Sequence, residues 1–356
     1  MGKGCVLMDL LFFALALAFL ILIHELGHFL AAKALGIEIE EFGIGFPPRV
    51  ARLFEWRGTV FTLNLIPFGG FVRPKGEGDP SKPDALAQAP PLRRAVVILA
   101  GPLMNLLVAA LAYVLIFGVA GVPKPQAILV WYVEPRSPAE AAGLQPGDLI
   151  VAAEGRPTAE AQALQRIVQA HAGEPLRLTV RRGEATLTLT VVPRPDPPSG
   201  QGPLGIRIVE YGWQPAPITQ RLRLAWDALW EHVAALLRLP WQMLQAYLSP
   251  QPQRPPGEVM GFRGMYTSFR MAFAVDRVAP NPVPVYTLSL MASLSLSLAV
   301  LNLLPIPALD GSRLVLALGE WVFRRRLPWR VEFALMLVGF FVLLALMVLV
   351  NLREWL

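Results

Sequence analysis

His24-Glu25-Leu26-Gly27-His28 lies near the end of a long apolar run, Val6 to Ala34, and what it can do decides how the rest of the chain is read. An α-helix turns about 100° per residue, so positions four apart return to nearly the same face and both imidazoles can bind one metal ion. Glu25 stands beside them. This is the H-E-x-x-H arrangement, in which the histidines hold zinc and the glutamate takes the proton of the metal-bound water. Two of the chain's four histidines fall where a metal site needs them. Placing three polar groups in a bilayer-length run without a task is expensive, which argues against two idle helix histidines.

The surroundings of the motif are those of a membrane protein. Hydrophobic residues make up 54% of the 356-residue chain, and the mean hydropathy is +0.48, well above soluble usage. Four runs can span a hydrocarbon core: Val6 to Ala34, Ala95 to Gly121, an interrupted Val285 to Leu318, and Val331 to Val350. The first has the position of a signal peptide but exceeds its length, and no A-x-A-like cleavage site follows, so it is read as a mature helix. A lone cysteine, Cys5, excludes an internal disulfide and a cysteine-based zinc cluster, leaving His and carboxylate to hold any metal. The net charge of +6 is carried mostly by arginines in the connections, not by one basic patch. That pattern points away from nucleic acid and toward anionic membrane lipids.

Orientation follows from the short loops, in which Lys and Arg mark the cytoplasmic side. Lys33, Arg49, Arg52, Arg57, Arg73, Lys75, Lys82, Arg93 and Arg94 lie between spans one and two, and Arg324, Arg325, Arg326 and Arg330 between three and four. Both loops are expected in the cytoplasm, with the site toward that face and Val122 to Pro284 outside. Between Gly36 and Gly78, period-two apolar placement predicts β-hairpins that close on Gly69-Gly70-Phe71-Val72. Backbone of this kind reaches membrane depth only when buried in protein or lining a cavity. The Gly69 and Gly70 segment is therefore a candidate substrate contact, and Thr59 to Phe71 a candidate edge for an extended substrate. Glu77 to Pro91 reads as a linker. Asn105, in Gly101-Pro102-Leu103-Met104-Asn105, either bonds across helices or stands beside the metal.

From Gln126 to Val209 the composition is that of an α/β module. Strands are expected at Ile128–Val133, Leu149–Glu154, Leu176–Arg181 and Ala185–Val192, with a helix over Ala159–Ala172 capped by Thr158. Pro193 to Gly202 is a proline-rich break. Ile218, Leu222, Trp226, Leu229, Trp230, Val233, Leu237 and Trp241 then recur at helical spacing, as in a helix lying at the membrane surface. Ser249 to Glu258 reads as a hinge.

Two histidines leave a tetrahedral catalytic zinc one protein ligand short. The only acid deep in the third apolar stretch is Asp310, in Asn302-Leu303-Leu304-Pro305-Ile306-Pro307-Ala308-Leu309-Asp310-Gly311. Pro305 and Pro307 must break the helix, so Asp310 is expected to open a second half-helix facing the metal. Asn302, beside that unwound backbone, is a candidate substrate clamp.

H-E-L-G-H on the first span, G-P-x-x-N on the second and N-x-x-P-x-P-x-L-D-G on the third resemble the site-2 protease family of intramembrane zinc metalloproteases. Within it the chain is most similar to the bacterial regulator-of-sigma-E protease branch. Ser137-Pro138-Ala139-Glu140-Ala141-Ala142-Gly143-Leu144-Gln145-Pro146-Gly147-Asp148 resembles the signature of PDZ domains in bacterial proteases, with one such module legible where that branch has two in tandem. PDZ domains take extended peptides by strand addition. No glycine-bearing carboxylate loop precedes Ile128, however, and the nearest such piece, Leu204-Gly205-Ile206, comes at the other end; the module either gates or recruits.

The resemblance implies a multi-span α-helical protein of the bacterial inner membrane, with a membrane-associated β-element and an inserted extracytoplasmic α/β PDZ domain. It also implies zinc as cofactor, with His24, His28 and Asp310 as ligands and Glu25 as base. The substrates it implies are single-span membrane proteins, such as an anti-sigma factor or a signal-peptide-like segment, cut in regulated intramembrane proteolysis. The expected parts are the first helix (1–35), the β-region and loop (36–94), the second helix (95–121), the PDZ domain (126–209), the amphipathic helix and hinge (210–284), the third segment (285–322) and the fourth helix (331–351). The rival is a non-catalytic adaptor or transporter with a structural metal, but such a site needs no base next to its ligands and closes with a fourth one.

Overall fold

The computed structural model describes residues 3–75, 85–198, 201–248, 261–325 and 327–353. Much of the expected linker 77–91 and the hinge Ser249–Glu258 lie outside the described residues. The chain divides into two compact units, one of Met1–Ala112, Asp227–Arg270 and Leu290–Leu356, the other of Tyr113–Trp226 and Met271–Ser289.

The motif helix is α1, Lys3–Ala34. It is apolar on all sides, as a helix surrounded by hydrocarbon and protein must be. Two long strands follow, β1 (Ile39–Trp56) and β2 (Thr59–Pro74), joined by a tight turn with Arg57 and Gly58 at positive φ. The expected hairpin thus forms, but with a doubled register: Glu41–Ile44 has partners in both Val60–Leu63 and Gly70–Arg73. Gly70–Pro74 therefore runs along one margin of this sheet. Phe29 of α1 holds the hairpin, its ring 5.5 Å from those of Phe42 and Phe61. Inside the sheet, the buried Glu41 carboxylate accepts from the Thr62 hydroxyl and pairs with Arg49 and Arg73, so the charge is not left bare. After the short α2 (Ala85–Gln88), the second spanning helix α3 runs from Pro91 to Ala120 with Pro102 inside it.

The second unit is built on a sheet. Its elements are β3 (Val122–Val133), α4 (Pro138–Ala141), β4 (Leu149–Ala153), β5 (Arg156–Pro157), α5 (Ala161–Ala170), β6 (Leu176–Arg182), β7 (Ala185–Val191) and β8 (Ile206–Gln214). The strand order is β7-β6-β4-β3-β8, with β5 paired to β4. Alternate residues of β3, β4 and β6, among them Ile128, Val130, Ile150, Leu178 and Val180, meet Leu164 and Val168 of α5 in the core, the period-two burial of a half-covered sheet. Ser137 caps α4 by accepting from the Glu140 amide. The fully buried Asp148 accepts from the Gln145 amide and from two nitrogens of Arg182.

Two expectations need correction here. The helix is Ala161–Ala170 rather than Ala159–Ala172, and Glu160, not Thr158, is at its N-cap. Thr158 follows β5, its amide donating to the Val151 carbonyl and its hydroxyl to the Arg156 carbonyl, while the Ala161 amide is taken by Glu210 of β8. The sheet also extends past 126–209, since β3 starts at Val122 and pairs Val122 with Gln214. The Leu204-Gly205-Ile206 piece leads into β8, which lies at the end of the strand order, beside β3.

The remaining elements are α6 (Ile218–Leu248), α7 (Phe262–Val278), α8 (Val285–Leu303), α9 (Asp310–Phe323) and α10 (Trp329–Arg353). Trp226, Trp230 and Trp241 of α6 are exposed while Ala225 and Leu229 are buried. That is the face pattern expected of an amphipathic helix. Helix α7 was not foreseen in the hinge region. Its Val275, with Ala279 beyond it, covers Ala127, Leu129 and Leu149 on the second face of the sheet. Among the described residues four helices have the length and hydropathy to cross a membrane: Met8–Ala34, Pro91–Ala120, Val285–Leu303 and Arg330–Leu352. The third span ends at Leu303, and the interruption expected within Val285–Leu318 falls at Pro305 and Pro307.

Candidate metal centre

Three elements of the first unit converge on one point. Helix α1 brings His24 and His28, one turn apart, with ring centroids 4.7 Å from each other. Asp310 is the first residue of α9, after a connection in which Ala308 has φ 78° and Leu309 is extended. Leu309 is the N-cap and offers no side-chain cap bond, and the Asp310 carboxylate is turned to the histidines of α1. Its Oδ2 lies 2.9 Å from His24 Nε2 and 3.3 Å from His28 Nε2, and the two Nε2 atoms are 3.1 Å apart. Ligand atoms of all three residues fall within 4.8 Å of one another, and among the described residues this is the only such group of three.

The hydrogen bonds behind the rings fix which nitrogen faces inward. His28 Nδ1 is 2.8 Å from the Val97 carbonyl, which can only accept, so Nδ1 carries the proton and Nε2 keeps its lone pair. On His24, Nδ1 lies 3.4 Å from the Asn105 side-chain nitrogen, while Asn105 Oδ1 is buried without a partner. Turning that amide over keeps its shape and lets His24 Nδ1–H donate to Oδ1. Both inward Nε2 atoms then present lone pairs toward a carboxylate. Three acceptors this close repel unless a cation lies between them, and two imidazoles with one carboxylate suit zinc.

Helix α3 supplies the backing. A Cβ on Gly101 would come within 2.4 Å of His28 Nε2, and one on Gly27 within 2.3 Å of the Ala100 carbonyl. The two helices touch backbone to backbone only because both positions lack side chains. Asn105 is fully buried, and the Ser295 hydroxyl of α8 donates to its backbone carbonyl at 2.8 Å. The Asn105 side chain itself stands behind His24. Asn302 Nδ2 lies 3.5 Å from His24 Nε2, at the rim of the same cluster. The β-sheet approaches from the other side, since a Cβ on Gly70 would lie 3.8 Å from Glu25 Cγ, and one on Gly69 would meet Phe46 and Ile21.

Val97, Gly27, Ser295 and Gly339 escape a reading of the sequence, because each acts through its backbone, its smallness or a lone hydroxyl. Gly339 of α10 is the least visible. A Cβ there would meet Pro307 at 2.3 Å, so the fourth span abuts the turn that carries Asp310. A second tie joins α3 to α9, where the buried Arg94 pairs with Glu320.

Such an arrangement, a histidine pair on one apolar helix, a carboxylate from a broken one and an acid at the histidines' side, belongs to a metallohydrolase set among membrane-spanning helices. The chain belongs to Peptidase family M50, the site-2 proteases, which it matches over residues 12–346. It is a zinc metalloprotease with apolar spans. Its relatives include a protein of Clostridium perfringens named "Putative zinc metalloprotease", 31% identical over 98% of each chain. Another of that name, from Nostoc, is 31% identical over 95% of this chain and 93% of its own. The metalloprotease MmpA of Caulobacter vibrioides is 31% identical over 93% of this chain and 90% of its own.

Proposed function

We propose that His24, His28 and Asp310 hold the zinc, that Glu25 is the general base, and that the substrates are transmembrane segments of single-span proteins. The observation that carries this is the meeting of Asp310 with the Nε2 atoms of His24, 286 residues away, and of His28. Zinc bound there supplies Lewis acidity toward water and the scissile carbonyl. Glu25 takes a proton from the attacking water on its carboxylate and delivers it to the leaving amine. Val97 and Asn105 hold the two rings in the tautomers that leave Nε2 free.

A peptide bond in a transmembrane helix is already hydrogen-bonded, so the substrate must unwind before attack. Gly70–Arg73 offers it a strand margin beside Glu25, and Asn302 an amide at the rim of the cluster. Both glycines matter there, because a side chain at Gly69 or Gly70 would fill the space next to Ile21, Leu22 and Glu25. The biological setting in this reading is the bacterial inner membrane, with the metal toward the cytoplasmic side and regulated cleavage of an anti-sigma factor or a signal-peptide-like segment.

The test is coexpression with candidate single-span substrates. Glu25→Gln removes the base but no ligand, so zinc content should stay at one per chain while cleavage falls about 10²–10⁴-fold. Near-normal cleavage by this variant would defeat the assignment.

The sheet module, in the same reading, is an extracytoplasmic PDZ domain that governs entry, as a gate rather than a recruiter. Replacing residues 122–214 by a short linker should leave zinc bound and let substrates with bulky external domains be cut. Loss of natural-substrate cleavage with short peptides still cut would reverse the role to recruitment.

A further inference from the structure

The sheet unit contains a cavity of about 280 Å³ that no step of proteolysis uses. It opens where β3 and β8 end together, and its lining includes Ala120, Gln126, Arg181, Tyr211, Trp213 and Asn281. No acid lines it. Five of those side chains carry N–H or O–H groups, and those of Arg181 and Asn281 are incompletely used. Arg181 is exposed, and its guanidinium makes no ion pair or hydrogen bond among the described residues. Asn281 accepts at Oδ1 from the Tyr211 hydroxyl at 3.0 Å, while its Nδ2 is buried with no partner. An unpartnered buried donor is costly unless a ligand or water completes it.

A cationic fork, an amide N–H₂ and an uncharged wall together describe a site for an oxyanion. Burial pushes the Tyr211 phenol up, so it stays protonated and keeps the Asn281 carbonyl oxygen occupied, leaving the Nδ2 hydrogens without a partner beside the cavity. The volume suits a head group rather than a folded peptide.

Position narrows the ligand further. Ala120 is the last residue of spanning helix α3, and Asn281 precedes the start of spanning helix α8 at Val285 by only a short turn. Both span ends place the cavity at the depth of lipid head groups, where a half-buried indole such as Trp213 is also at home. Arg221 fastens α6 to the same region by donating to the Gly118 carbonyl at 2.7 Å. We propose that this cavity binds a phosphate group, and that the group is the head-group phosphate of an anionic phospholipid, held by Arg181 and Asn281.

The full-length chain, purified in a neutral detergent, would be titrated with phosphatidylglycerol or phosphatidylcholine and its retained lipid counted by native mass spectrometry. Phosphatidylglycerol should bind saturably at one site, with phosphatidylcholine weaker by about ten-fold or more. Arg181→Ala and Asn281→Ala should each weaken phosphatidylglycerol by about ten-fold, and Arg181→Lys by less, since a point charge replaces a fork. Zinc content and melting temperature report that each variant is folded. Equal retention of both lipids, or retention untouched by both alanine variants in folded protein, would overturn the proposal. Inorganic phosphate serves as competitor. Displacement only at concentrations about 100-fold above the lipid supports a lipid ligand, whereas displacement at equal concentration would reassign the cavity to free phosphate.

Discussion

Helix α1 and the α8–α9 pair bring their candidate ligands, two imidazoles and a carboxylate, to one point by opposite means. In α1 the helix is unbroken, and the spacing of His24 and His28 follows from its own period. Between α8 and α9 the helix is interrupted for six residues, 304–309, and Asp310 is aimed by what surrounds the break. Gly311 lies so close to the Leu303 and Leu304 carbonyls that a Cβ would come within 2.4 Å of both, and Pro307 rests against Gly339. One half of the site is therefore local in sequence, and the other half is tertiary. The first needs only a helix to exist; the second needs several helices to be in place.

The largest effect expected from this contrast is on the metal itself. His28→Ala and Asp310→Ala should each lower zinc from about one per chain to a small fraction of that, measured by elemental analysis of purified protein. Full zinc in the Asp310 variant would break the comparison by showing that the local half suffices.

A smaller effect should follow from the residues that orient the local half. Asn105→Ala leaves all ligands but releases His24 Nδ1, so zinc affinity measured against a competing chelator should fall about 10–100-fold. An unchanged affinity would mean that the helix period alone positions the ring.

The smallest effect belongs to the break. Ala308 has φ 78°, a left-handed conformation that costs a residue with a side chain about 1–2 kcal/mol. Glycine there removes that cost but adds unfolded-chain entropy, so Ala308→Gly should raise stability by at most about 1 kcal/mol with zinc retained. Zinc loss in this variant, read alongside its melting temperature, would sharpen the picture, because it would show that the stiffness of the turn aims Asp310.

The same contrast explains what could be read without coordinates. The histidine pair, the helix break and the placing of Asp310 beside the histidines were legible, because periodicity, proline and a lone acid in an apolar run are local signals. The hairpin was legible in kind, from Thr59 to Pro67, but not in its doubled register, since nothing in Glu41–Ile44 announces two partners. The cap of α5 was misassigned to Thr158 because the rule for caps looks only at neighbours, whereas the Ala161 amide is satisfied by Glu210 from 49 residues away. Helix α7 went unread for a similar reason: its apolar face is short and gains its meaning from Leu129 and Leu149 of the sheet.

Gly339 bears on how the enzyme must be handled. The middle of helix α10 is apolar, and only 6% of its spanning window is buried by the rest of the chain, so in a membrane its main solvent is hydrocarbon. Yet it meets the Asp310 turn at a position with room for nothing larger than hydrogen. The solvent of α10 thereby becomes part of the support of the metal site. A detergent that holds this helix poorly acts one van der Waals contact from Pro307, and zinc retention on purification will follow the choice of detergent even though α10 contributes no ligand.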